Sequence, residues 1–204
     1  GTRTCMKYLE ALNFKGLDKK DYKYNTTCLG GFTNGTTVVE MAAGYATIAN
    51  DGEYRTPDCI IKITDAKGND IVPEDTSTKS VYSSSASRMM TSVLQSCVTE
   101  YEGTAHVCQL DVDMPAACKT GTTNNYVDGW LCGYTPYYTT AVWVGMDVYK
   151  SVDNLKGNTY PASIWTNYMN KIHQGLPRKE FESYLGDTES TTEATTESTE
   201  DDTE

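Results

Sequence analysis

The chain has 204 residues, 38% of them apolar, and a formal charge of −11 that is unevenly spread. Residues 187–204 hold eight acidic and no basic side chains, so the tail carries −8 and the remainder sets 20 acidic against 17 basic residues, or −3. That balance leaves no basic footprint for nucleic acid, and no run approaches the ~18 consecutive apolar residues of a membrane-spanning helix.

Taken in order, Cys5, Tyr8, Leu9 and Leu12 recur at helical spacing and predict a short helix over Thr4 to Leu12. Residues 16–35 are polar and aperiodic, a loop. Val38, Met41, Ala42, Tyr45, Ala46 and Ala49 then follow the i, i+3, i+4, i+7 rule. Thr37 and Glu40 stand three apart as a capping box, and Asn50-Asp51-Gly52 ends the helix. Ile60 to Thr64 and Asn69 to Val72, joined by Asp65-Ala66-Lys67-Gly68, read as a small surface hairpin. A second apolar stripe, Ala86, Met89, Met90, Val93, Leu94 and Cys97, predicts a helix capped by Ser83 to Ser85, with the methionine pair in the core.

Three strand-like runs follow, 117–122, 129–134 and 138–144, separated by turns at Asn124-Asn125 and Thr135-Pro136 short enough for an antiparallel meander. Trp130, Trp143 and Trp165 are expected in the core. A last helix carries Ile164, Trp165, Tyr168, Met169 and Ile172, opened by Pro161 and closed by Gly175. The folded part should end near Gly186. Asp187 to Glu204, with ten Ser, Thr or Ala and no large apolar side chain, is expected to stay a disordered, solvated spacer, the sharper alternative being a cell-wall-spanning or glycosylated stalk. The chain therefore divides into one folded portion, 1–186, and a Thr/Glu-rich tail, 187–204.

The seven cysteines contain no CxxC pair, and His106 and His173 lack ligand spacing, so neither a metal nor a cofactor is expected. The cysteines read as packing residues, with one or two disulfides left open.

Chemistry is concentrated in Lys119-Thr120-Gly121-Thr122, on the first strand of the meander. A lysine on a strand beside a cleft can hold a carboxylate, and flanking threonine hydroxyls add donors. Gly121, without a Cβ, lets a peptide backbone approach the strand edge; its plainer reading is a glycine at a bulge. Cys118 should point to the opposite face from Lys119, hence inward.

Lys119-Thr120-Gly121 resembles the KTG element that, with SxxK and SDN-type elements, marks penicillin-binding proteins and class A β-lactamases. Asp128 to Pro136 and Thr139 to Gly145 extend the likeness. In order along the chain, Gly31-Phe32-Thr33-Asn34-Gly35, Glu40 to Gly52, Glu102-Gly103-Thr104-Ala105 and Ala162-Ser163-Ile164-Trp165 also resemble blocks of the class A penicillin-binding proteins. The likeness spans about residues 1–180. Val38 stands where relatives often carry the proline that starts the helix.

The resemblance implies an α/β fold of the α+β type, a partial penicillin-binding transpeptidase fold in which an antiparallel sheet is flanked by helices. It further implies a D,D-transpeptidase cross-linking peptidoglycan stem peptides and acylated by β-lactams, extracytoplasmic, usually behind a glycosyltransferase domain and an N-terminal membrane anchor. Lys119 and Thr122 would be catalytic, with the Thr122 amide as half of an oxyanion hole; Thr120, Gly121 and Thr122 would bind substrate. No Ser stands three residues before any Lys, and no Asn is preceded two positions earlier by Ser. The nucleophile is therefore expected from an upstream part of the same polypeptide, and the chain by itself is expected to be inactive. Other readings are a β-lactamase or D,D-carboxypeptidase of the same superfamily, and a non-catalytic cell-wall-binding module.

Overall fold

A computed structural model describes residues 1–72 and 75–184. The expected disordered tail lies outside the described residues. The centre of the molecule is an antiparallel sheet of β5 (Ala117–Thr122), β6 (Gly129–Tyr134) and β7 (Thr139–Val144), in that spatial order. Its register is unbroken, running from Ala117 opposite Tyr134 to Thr122 opposite Gly129, and from Tyr134 opposite Thr139 to Gly129 opposite Val144.

One face packs against α4 (Tyr160–Ile172), where Ala162, Trp165 and Met169 join Cys118 and Leu131 in a fully buried cluster. Pro161 opens that helix as expected. The other face receives α2 (Val38–Ala49) and α3 (Ser84–Thr99), through a cluster of Leu94, Ala117 and Tyr134 with Tyr45, Ile48 and Phe181 against it. A third cluster, Leu12, Phe14, Ala43 and Tyr54, joins α1 (Thr2–Ala11) to α2. Helices on both faces of an antiparallel meander are the α+β layout that the resemblance implies.

The caps also follow the sequence. Thr37 Oγ1 accepts from the Glu40 N–H at 3.2 Å while the Glu40 carboxylate accepts from the Thr37 N–H at 2.8 Å. Gly52, at φ +90°, ends α2. The hairpin of β2 (Ile63–Thr64) and β3 (Asp70–Val72) is exposed throughout, an ornament as expected. A two-residue pairing of β1 (Glu53–Tyr54) with β4 (Lys79–Ser80) is too short to be seen in periodicity.

Three expectations are corrected. The stripe on α3 meets the core only through Leu94 and, in part, Cys97: Met89, Met90 and Val93 are 53%, 45% and 54% exposed, and the buried face is Ser87, Thr91, Leu94 and Val98. Hydroxyls make this workable, since Thr91 Oγ1 bonds both the Ser87 carbonyl, at 2.9 Å, and the Tyr134 hydroxyl, at 2.8 Å. Trp165 is fully buried, but Trp130 and Trp143 are half-buried and tilt against one another at 6.4 Å on the face away from α4. The 16–35 segment is no featureless loop. It contains a 3-10 helix, Asn25–Leu29, and wraps a buried carboxylate, Asp21.

Candidate active site

Strand alternation sorts the side chains of β5. Cys118 is fully buried towards α4, whereas Lys119 is exposed on the opposite face, as the period of two predicts. Gly121, Trp130 and Trp143 share the Lys119 face, because Gly121 lies opposite Trp130 and Trp130 opposite Trp143. The result is an open shelf of one ammonium and two indoles at the end of the sheet beyond the cover of α2 and α3.

The backbone of β5 can be sorted as well. The Thr123 N–H donates to the Asp128 carbonyl at 3.0 Å, inward across the hairpin. Successive amides along an antiparallel strand point to alternate sides, so the N–H and C=O of Thr122 and Thr120 point outward to the open edge of the sheet. The side chain of Lys119 agrees: its Nζ donates to the outward Thr120 carbonyl at 3.0 Å. No other strand pairs with that edge among the described residues.

Gly121 sits in continuous register, so the bulge reading does not hold. A Cβ at this position would lie 3.1 Å from the Trp130 Cβ, and the glycine therefore gives the indole room across the strand pair. Thr122 is held from the other face. Its Oγ1 accepts the Gly157 N–H at 2.9 Å, and a Cβ on Gly157 would come within 2.8 Å of the Gly121 carbonyl and 2.6 Å of the Trp130 carbonyl. The backbone of the segment before α4 is thus latched onto the end of β5 through the Thr122 hydroxyl.

Asp128 completes the hairpin, taking the Trp143 indole N–H at 2.9 Å while its own N–H donates to Thr123 Oγ1 at 2.8 Å. Gly157 and Asp128 are supporting residues to which sequence reasoning gave no role. Nothing in the spacing could reveal Gly157, which acts through a contact 35 positions away.

The site is therefore an edge strand and not a closed pocket. The larger cavities lie elsewhere, one of about 570 Å³ around Leu12, Glu40 and Tyr54 and one of about 520 Å³ around Val39, Ala46 and Ile60, and neither is lined by residues 117–122.

Residues 10–173 match the family model of the penicillin-binding protein transpeptidase domain. The chain belongs to this family. Among its relatives, penicillin-binding protein 4 of Bacillus subtilis is 34% identical over 165 residues, covering 81% of this chain and 26% of the relative. Penicillin-binding protein 1A of Clostridium novyi is 32% identical over 188 residues, covering 89% of this chain and 21% of the relative. The 1A relatives agree with a class A assignment for this transpeptidase region.

The fold agrees too. PonA1, a penicillin-binding protein of Mycobacterium tuberculosis, superimposes with a TM-score of 0.75 at 22% identity, covering 89% of this chain and 52% of that one. Its complex with penicillin V gives 0.72 at 24% identity. The chain thus spans about a quarter of the curated relatives and about half of the solved structures. Among its described residues no helix is long and apolar enough to cross a membrane.

Proposed function

We propose that this chain supplies the carboxylate-binding and oxyanion-stabilising strand of a serine D,D-transpeptidase that cross-links peptidoglycan stem peptides. The observation that carries the reading is the edge geometry of β5: an exposed Lys119 ammonium beside outward-pointing Thr120 and Thr122 backbone groups. An extended peptide ending in a carboxylate can pair with such an edge while its charge meets Lys119. The outward Thr122 amide is then placed to donate to the oxyanion of a tetrahedral intermediate, as half of an oxyanion hole. Thr120 and Thr122 add hydroxyl donors, and Gly121 leaves the strand slim.

Acyl transfer also requires a nucleophile, which in this reading is a serine on a longer polypeptide that includes this chain. That polypeptide would be extracytoplasmic and membrane-anchored, with β-lactams as acylating inhibitors and a glycosyltransferase domain ahead of the transpeptidase.

The test is acylation by a fluorescent penicillin. The longer polypeptide should label, Lys119→Ala should slow labelling by about a hundredfold or more, and the isolated 204-residue chain should stay dark. Labelling of Lys119→Ala at the unaltered rate, or of the isolated chain, would overturn the proposal. An adduct that persists for hours fits a transpeptidase, and rapid turnover would instead mark a β-lactamase.

A further inference from the structure

Two cysteines sit on neighbouring elements, α1 and the 3-10 helix Asn25–Leu29. Cys5 is on α1 and half-buried; Cys28 is in the 3-10 helix Asn25–Leu29 and exposed. The two elements already touch one step earlier, where Thr2 Oγ1 donates to Asn25 Oδ1 at 2.8 Å. Cys5 follows Thr2 by three residues and Cys28 follows Asn25 by three, and a step of three stays on one face in both helix types. The contact between the two elements accordingly sets Cys28 close enough to act on the Cys5 thiol.

Each element is anchored without help from the sulfurs. Met6 and Leu12 bury α1 and its C-terminal end. The 3-10 helix is fixed by the Thr27 hydroxyl donating to the Asp21 carbonyl at 2.8 Å and by the Gly31 N–H donating to the Thr26 carbonyl at 2.9 Å. The thiols are thus presented to one another by a framework that need not move far to join them.

We propose that Cys5 and Cys28 form a reversible disulfide, made by exchange with a small-molecule or protein disulfide and stapling α1 to the segment that leads into α2. The exposed Cys28 thiolate attacks one sulfur of the oxidant, forming a mixed disulfide and expelling the first thiolate. The Cys5 thiolate then attacks the Cys28 sulfur and expels the second. Two protein thiols are oxidised, one external disulfide is reduced to two thiols, and the two protons pass to the leaving thiolates.

The order follows from the surroundings. Burial, then the contact with Cys28, pushes the Cys5 thiol up from its ordinary value, so it is the slower first attacker. Cys108, Cys118 and Cys132 are buried out of an oxidant's reach, and burial also pushes Cys118 and Cys132 upward, Cys132 to about 12. Cys59 is exposed on a different part of the surface and serves as an internal control.

The experiment treats the native 204-residue chain with oxidised glutathione, quenches with acid and digests with trypsin. The expected product is peptide 4–7 joined to peptide 24–55, two hydrogens lighter than the sum of the free peptides, with Cys59 carrying only glutathione. Cys5→Ser and Cys28→Ser should each abolish the joined peptide. The oxidised chain should melt about 5 °C above the same chain after reduction, a difference absent in Cys5→Ser. Separate glutathione adducts on Cys5 and Cys28, a cross-link from either to Cys59, or a melting temperature indifferent to reduction would overturn the assignment.

Discussion

At the scale of single residues, Asp21 shows how much a local fold can depend on a group with no motif. Its carboxylate is buried yet accepts from the Asp18 N–H at 2.9 Å, the Thr33 N–H at 2.8 Å and the Thr33 hydroxyl at 2.6 Å. Burial pushes its pKa up, and those three donors outweigh burial, so the net shift is downward. Glu40 behaves alike: burial raises it, but the Lys15 and Thr37 amides and the Thr37 and Thr36 hydroxyls bring it down. A carboxylate whose folded pKa lies below its unfolded one adds stability that is complete above the unfolded value, ~4. That contribution is lost as pH falls through the folded value. Acid should therefore loosen the 16–40 region first, read as hydrogen exchange at Thr33 and Thr37 rising below about pH 4 while β6 amides stay protected. Asp21→Asn converts an acceptor-only group into one that also donates, setting an N–H against the Thr33 or Asp18 amide. It should cost about 2 kcal/mol in denaturant unfolding, and an unchanged midpoint would show that Asp21 is dispensable.

At the scale of elements, each helix was legible where its signal is local. The capping box of α2 spans four consecutive residues and formed as read, so Thr37→Ala should cost about 1 kcal/mol by the same unfolding measurement, with Thr37→Ser close to neutral. The three strands of the meander and the inward turn of Cys118 were equally legible, because alternation and short turns are local. What the sequence could not settle was which side of a helix meets the sheet. On α3 the apolar residues mark one face, yet Ser87, Thr91, Leu94 and Val98 form the seam that packs inward. Small residues let α3 approach Ala117, and Thr91 satisfies its hydroxyl on Tyr134, a bond that depends on a strand 43 positions away. Hydrophobicity counts side chains and does not see such distant partners. The site shows the same division. Lys119, Thr120, Gly121 and Thr122 were legible as a tripeptide and its neighbour, whereas the Gly157 latch and the Asp128 bridge to Trp143 exist only once distant segments are brought together.

At the scale of the whole molecule, two features apart from the candidate site shape how the chain behaves alone. β7 pairs with β6 on one side and with no strand on the other among the described residues, and the outer stripe of α3 stays uncovered. An unpaired strand edge and a row of exposed apolar side chains are both templates for association. In the isolated chain they are free to meet other copies. Sedimentation of the isolated chain should show concentration-dependent association, and the triple change Met89→Ser, Met90→Ser, Val93→Ser should weaken it markedly. Because these side chains are 45–54% exposed, the same variant should melt within about 2 °C of the parent. If the triple variant associates as strongly as the parent, the α3 face is not the adhesive surface and the β7 edge must carry the association. If instead it unfolds, the stripe is part of the core after all, and the inward seam of Ser87, Thr91, Leu94 and Val98 is misplaced. The two results separate because the first leaves the melting curve untouched and the second moves it.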